Sequence, residues 1–308
     1  MKRSLFTALA LLSLSACTNN GDISAPNILD SFGYFKEETA KRIAAPVFML
    51  SRTIKANEFN IQAYERIYEK AQPTILYIGG NSRASGVTRT PEGANPVGLR
   101  LAAHDPKSNV IYLAQVCQYV GHASDCPDEY MGDKRHAPEV IEAYNTALNN
   151  IRGFHDISGF HIVGYDGGAG IAVALAAQRE DVLSLRTVAG ILDTQFYAHI
   201  NNTDFDSGSL NPVDIASELS DMPQRHFIGQ LDQEVPPAIY HSYAQAMGKT
   251  PCSQVTIVPD AGHIDGWAEQ WGKLRVMPFT CDAPEHLDAV PFDPASLDKM
   301  GGPKGISK

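Results

Sequence analysis

"HIVGYDGGAGIA", residues 161–172, decides the fold. An apolar stretch ends at Gly164, a glycine-rich turn carries Asp166 at its tip, and an alanine-rich run starts immediately afterwards. The segment reads as strand, sharp turn and helix start. In the G-x-S-x-G turn of this kind the middle position holds a serine, lifted above the sheet where a substrate can reach it. Here that position is an aspartate. Two phosphate-binding readings fail on spacing. The G-K-[ST] ending of a Walker loop is missing, and glycines at Gly164, Gly167, Gly168 and Gly170 do not spell G-x-G-x-x-G.

Outward from this turn, strand and helix patterns alternate. "PVFMLSRTIKA" (46–56) and "FNIQAYERIY" (59–68) read as early strands, and "TILYIGG" (74–80) is an unbroken apolar run closed by glycines, as a buried parallel strand would be. "NPVGLRLAAHD" (95–105) predicts a short helix, "NVIYLAQV" (109–116) a second buried strand. In "APEVIEAYNTALNNI" (137–151), Val140, Ile141, Tyr144, Ala147, Leu148 and Ile151 share one helical face beside Pro138. Further strands are predicted at 184–190, 224–229 and 254–259, with a proline-started helix at 236–247. The expectation is an α/β fold: a mostly parallel central sheet, helices on both faces, and ligands beyond the carboxyl ends of the strands. The piece at about 191–222 interrupts this rhythm and reads as a short lid insertion.

Asp166, Asp232 and His263 each follow a predicted strand, the last two in "GQLDQEVPP" and "PDAGHIDGW". Taken singly, Asp232 suits a turn residue and His263 a loop cap. Together they stand in the chain order nucleophile, acid, histidine. From about Tyr64 to Trp267 the chain resembles a group of bacterial α/β-hydrolase-fold lipoproteins and their secreted relatives. The resemblance rests on "LYIGGN", "NPVGLRLAAHD", "VIYLAQVCQYV", "VGYDGGAGIAVALAAQRED", "TVAGILD", "GSLNP", "FIGQLDQEVPPA" and "VPDAGH". It implies the α/β-hydrolase fold with a short lid, a small-molecule substrate, and a nucleophile, acid and histidine at Asp166, Asp232 and His263. Members usually carry serine where this chain has Asp166, and an acidic glycine turn where it has Gly80, Asn81 and Ser82.

That substitution changes the chemistry. A carboxylate is already ionised at neutral pH, and the helix N-terminus beside Gly167 favours its charge. On an ester, its attack would give an anhydride, and the intermediate would expel the carboxylate in preference to an alkoxide. On a saturated carbon bearing a halide or an epoxide oxygen, it displaces the leaving group and forms an ordinary ester. His263, oriented by Asp232, would then activate water against that ester. Haloalkane dehalogenases and epoxide hydrolases of this fold act in this way, although the former carry Trp where this chain has Gly167, and the insertion offers only Tyr197 as a ring-protonating group. Asn81 matches the halide-binding asparagine of dehalogenases in position. Backbone N–H groups of Gly167 and of Gly80 or Asn81 are the expected anion-binding donors. Trp267 and Trp271 are expected as core or rim aromatics. The expected function is a lipid-anchored hydrolase with an aspartate nucleophile for C-halide or epoxide substrates. The alternative is a catalytically disabled esterase or lipase-like scaffold that acts as a binding protein in the envelope.

The opening "MKRSLFTALALLSLSAC" has a basic start and an apolar run from Leu5 to Leu14, the pattern of an export signal over 1–17. "LSAC" resembles the bacterial lipobox, whose cysteine is acylated, so Cys17 is the expected lipidation site; an ordinary secretory signal with a chance cysteine is the alternative. Thr18, in place of aspartate, points to the outer membrane. Residues 18–42 read as a polar tether, 43–282 as one domain, and 283–308 as a tail. A net charge of -10 argues against nucleic-acid binding.

Of five cysteines, four remain once Cys17 is acylated. In an oxidising envelope they suggest two disulfides with three connectivities open, of which Cys117 with Cys126 and Cys252 with Cys281 are favoured. Free buried thiols are the other reading. No zinc-ligand spacing occurs, and no metal or organic cofactor is implied. Oligomeric state is not legible.

Overall fold

The computed structural model describes residues 38–81, 83–85, 88–90, 96–119, 127–204, 207–278 and 281. Cys17, Cys126, the expected signal, most of the tether and the tail lie outside the described residues. Eight strands form one sheet in the order β1-β2-β6-β3-β7-β8-β9-β10. They are β1 (Leu50–Ala56), β2 (Phe59–Ile67), β3 (Thr74–Ile78), β6 (Asn109–Leu113), β7 (Phe160–Tyr165), β8 (Val182–Val188), β9 (Gln224–Gly229) and β10 (Ser253–Val258). β1 and β2 run antiparallel at one edge, and the other six are mutually parallel. β4 (Arg83–Ser85) and β5 (Thr88–Thr90) form a separate hairpin beyond β3.

The unbroken apolar strands are explained by two cores. In β3, Leu76 and Ile78 enter one core while Ile75 and Tyr77 face the other; in β6, Ile111 and Leu113 oppose Val110 and Tyr112. A strand alternates faces with every residue, so both neighbours in sequence must be apolar when both faces are covered. The first core is roofed by α3 (Pro138–His155), α4 (Gly168–Gln178) and α6 (Pro237–Met247), the second by a helix over 38–44 (α1), α2 (Val97–Ala103) and α7 (Trp267–Leu274). All six apolar positions expected on the α3 stripe are buried. α4 is buried from Gly168 to Ala176 without a break, which its small, alanine-rich sequence permits beneath other elements.

Some boundaries differ from expectation for local reasons. Residues 45–47 form a 3-10 turn around Pro46 and Phe48 takes a φ of 59°, so β1 starts only at Leu50. Ala40 and Ala44 of α1 are buried, so the folded part begins inside the stretch that reads as tether. The insertion splits into α5 (Thr194–Asn201), capped by the Asp193 carboxylate accepting from Phe196 N, and a 3-10 helix at Pro212–Leu219. Pro212, Ala216 and Leu219 are buried, so the second half of the insertion is core. Cys252 and Cys281 form a disulfide, as favoured from the sequence. Cys117 is also disulfide-bonded, and its expected partner lies outside the described residues.

Candidate active site

The turn at Asp166 requires its glycines. A Cβ on Gly164 would come within 2.6 Å of the Gly168 carbonyl, and one on Gly168 within 2.4 Å of the Gly79 carbonyl. These are backbone neighbours that cannot swing aside. Asp166 itself takes a φ of 52°, a left-handed conformation that costs a non-glycine residue about 1–2 kcal/mol. The conformation is pinned by Asp166 N donating to Val188 O and by Ile191 N and Ala169 N donating to Asp166 O, each at 3.1 Å. The side chain stands where β7 meets the N-terminus of α4.

The three candidate positions meet. His263 Nε2 lies 3.3 Å from Asp166 Oδ1, and His263 Nδ1 lies 3.0 Å from Asp232 Oδ2. All three side chains are buried. The Asp232 contact is an aligned hydrogen bond, whereas Nε2 faces Asp166 at ion-pair distance without hydrogen-bond alignment. Asp232 is itself fixed: its Oδ1 accepts from Glu234 N and Val235 N, both at 2.9 Å, which leaves Oδ2 for the imidazole. The His263 carbonyl accepts from Tyr165 Oη and from the Trp267 indole, each at 3.0 Å. Trp267 and Trp271 are fully buried core residues, and Trp267 also orients the histidine loop. Burial disfavours charge on the imidazole, but the two close carboxylates, Asp166 and Asp232, outweigh it and raise its pKa to about 10.

The second carboxylate oxygen is engaged as well. Asp166 Oδ2 accepts from the backbone N–H of Asn81 at 2.9 Å. Gly80 lies so close that a Cβ there would sit 3.0 Å from Asp166 Oδ2 and 2.8 Å from the Tyr165 ring. Gly167 has its own constraint, because a Cβ at that position would fall 1.8 Å from Asn81 Oδ1 and 2.4 Å from Asn81 Nδ2. The Asn81 carboxamide therefore fills the space that a side chain after Asp166 would need.

Sequence reasoning missed three residues here. Gln115 Nε2 donates to Gly79 O at 3.2 Å and to Asn81 Oδ1 at 2.9 Å, and Gln118 Nε2 donates to Gly80 O at 3.0 Å. Together they hold the loop that supplies the Asn81 N–H. His136 is 1 % exposed and lies against Gly170, with its ring beside the backbone of Gly167. Burial and then the charge of Arg135 drive its pKa down to about 3, against the opposing pull of Asp166. "LAQVCQYV" and "KRHAPEV" contain no spacing that would flag these side chains.

A cavity of about 420 Å³ lies elsewhere, at the opposite strand ends, bordered by Ile75, Tyr77, Asp105, His161 and Arg186. Inside it Tyr77 Oη donates to Asp105 Oδ2 at 2.7 Å, and burial first, then that carboxylate, hold the phenol protonated. Among the described residues no group of three or more His, Cys, Asp or Glu side chains could hold a metal, and no helix is long and apolar enough to cross a membrane.

No family model matches the chain, and neither does any curated relative. Solved structures do. An esterase of Pyrococcus furiosus superposes with a TM-score of 0.53 at 10 % identity, over 75 % of this chain and 92 % of that one. The α/β-hydrolase GrgF of Penicillium gives 0.53 at 12 % identity, over 73 % and 93 %. Est1E of Butyrivibrio proteoclasticus gives 0.50 at 12 % identity, over 71 % and 93 %. With the parallel sheet, its covering helices and the turn after β7, these likenesses show that the chain has the α/β-hydrolase fold.

Proposed function

We propose that this protein is an α/β-hydrolase-fold hydrolase in which Asp166 attacks a saturated carbon bearing a halide or an epoxide oxygen. The carrying observation is the carboxylate held between two groups, Oδ2 on the Asn81 N–H and Oδ1 facing His263 Nε2. Oδ1 would form the new C–O bond while the carbon's bond to the leaving group breaks and its electron pair departs with that group. Asn81 Nδ2 lies beside the turn at Gly167, where it could donate to the departing halide or alkoxide.

The product of attack is an ester at Asp166, which carries no charge. One of the two anions that stabilise the imidazolium is then gone, and His263 loses its proton more readily, just when a base is required. Neutral His263 takes a proton from water, and the hydroxyl adds to Cγ of Asp166. The Asn81 N–H, already on Oδ2, stabilises the oxyanion formed there. Collapse expels the alcohol and restores the carboxylate with one oxygen from water. Asp232 keeps the imidazole in the orientation this step needs. We place the chain at the cell envelope, anchored through acylated Cys17 and directed to the outer membrane, on the strength of "LSAC" and Thr18.

The test is a panel of bromoalkanes, styrene oxide and p-nitrophenyl esters, run on wild type, Asp166→Ala and Asp166→Ser. Halide or diol release by wild type alone, with heavy oxygen from labelled water accumulating in the peptide that carries Asp166, is the expected result. Ester cleavage by Asp166→Ser alone would instead identify a disabled esterase scaffold. Equal turnover by wild type and Asp166→Ala would remove Asp166 from the reaction.

A further inference from the structure

Most large apolar side chains of this fold are buried; Leu183, Leu231 and Val276 are exposed singly on β8, after β9 and after α7, and four others lie together. Phe48 (71 % exposed), Leu50 (74 %), Tyr68 (65 %) and Phe154 (71 %) gather at one corner. Leu50 pairs with Glu65 across β1 and β2, and Arg52, two residues along on the same face, is held by Glu65 with Nη2 to Oε1 at 2.6 Å. The Arg52 guanidinium lies over the Phe154 ring at 5.2 Å. Arg66 donates to Val47 O at 3.0 Å, which sets the turn before Phe48 beside the end of β2 and hence beside Tyr68. β1 is the edge strand of the sheet, so nothing from the sheet covers this side. The corner also lies far from the triad: Ile67 pairs with Asn109, the residue that opens β6, whereas Asp166 follows the last residue of β7.

We propose that this corner docks on the surface of a lipid bilayer and holds the triad at the face turned away from it. The proposal rests on the reading of Cys17 as the acylated residue. The chain enters the fold here, through α1 (38–44) and the turn at Phe48. Residues 18–37 separate Cys17 from α1 in the sequence. The anchored end of the chain therefore joins the fold beside this corner. Phenylalanine, tyrosine and leucine side chains suit the boundary between headgroups and acyl chains, while exposed Lys70, and Arg42 at 3.5 Å from Glu38, add cations beside it. An apolar patch this concentrated is otherwise a liability on a monomer.

The experiment compares amide hydrogen exchange in three full-chain proteins: the acylated protein on vesicles of phosphatidylethanolamine with phosphatidylglycerol, Cys17→Ser in solution, and acylated Phe48→Ser/Leu50→Ser/Phe154→Ser on the same vesicles. Mass spectrometry first establishes acylation of Cys17. The expected result is slowing by about tenfold at residues 48–54 and 150–155 in the first protein relative to the second, with no change around Asp166, and loss of that slowing in the third while it stays on the vesicles. All three should melt alike, since the substituted side chains are solvent-exposed. Equal exchange on vesicles and in solution would overturn the docking and leave the anchor standing. An unmodified Cys17 would overturn the anchor and the docking with it. A Cys17→Ser protein that dimerises and protects the same residues would show that a second copy covers the corner, and would equally overturn the proposal.

Discussion

The backbone N–H of Asn81 donates to Asp166 Oδ2 at 2.9 Å, so the hydrogen-bond donor that a serine enzyme of this fold offers to its substrate is here occupied by the chain's own carboxylate. An ester carbonyl could enter this position only by displacing a charge-assisted hydrogen bond. An alkyl halide or epoxide has no such requirement in the attacking step. In the proposed reaction the donor is needed later, when the carbonyl under attack is that of Asp166 itself.

Attack and hydrolysis therefore separate at His263. His263→Gln leaves the carboxylate and the Asn81 N–H in place but removes the base for water. A single turnover should form the ester and stop, and intact-protein mass spectrometry should find the alkyl group on the peptide containing Asp166. Steady-state turnover should fall by about 10²–10⁴. A His263→Gln protein that turns over at the wild-type rate with no adduct would contradict the assignment.

Gly168 tests the turn independently of chemistry. Its missing Cβ is replaced by two carbonyls, Gly79 O at 2.4 Å and Ile78 O at 2.5 Å from the ideal position. Gly168→Ala must push α4 away from β3 and should cost about 3 kcal/mol or more, read as a lowered urea midpoint with an unchanged slope. Gly153 on α3, where a Cβ meets nothing within 4 Å, is the control: Gly153→Ala should be neutral or stabilising.

Gln115 separates positioning from binding. Its amide ties Gly79 O and Asn81 Oδ1 together, and it touches neither Asp166 nor His263. Gln115→Met keeps the volume and removes both hydrogen bonds. Expected are a fall of about tenfold in kcat for the hydrolytic step, little change in KM, and about 1 kcal/mol of lost stability. If KM rose and kcat held, Gln115 would belong to substrate binding instead.

The sequence carried the sheet, the turn and the three candidate positions because each has a local signature. Runs such as "TILYIGG" must be apolar on both faces, and the glycines around Asp166 are the residues that fit the contacts made at Gly164 and Gly168. His136, Gln115 and Gln118 had no such signature. They reach the site through tertiary packing, His136 from just before α3 and the glutamines from the loop after β6, and nothing in their immediate neighbours anticipates it. The register that sets β2 antiparallel beside β6 was equally hidden, since an alternating strand reads the same in either direction.

Three buried histidines give the stability a pH dependence with two limbs. His136 and His226 have pKa values lowered to about 3, in both cases by burial first and by a neighbouring arginine second. Unfolded, each would titrate near 6.5, so below that pH the unfolded chain binds protons that the folded one does not, and stability is lost as pH falls. The slope approaches about 1.4 kcal/mol per pH unit for each well below 6.5, or about 3 kcal/mol for the pair between pH 6.5 and 5. His263 works in the opposite direction. Its pKa, raised to about 10 by Asp166 and Asp232 against burial, contributes stability that is fully present below 6.5 and is lost as pH rises toward 10. Urea midpoints should therefore peak near neutrality. His226→Gln should flatten the acid limb by about half, and His263→Gln should abolish the alkaline limb while leaving the acid one. An alkaline limb that survives in His263→Gln would mean that its imidazole is not held protonated between the two carboxylates.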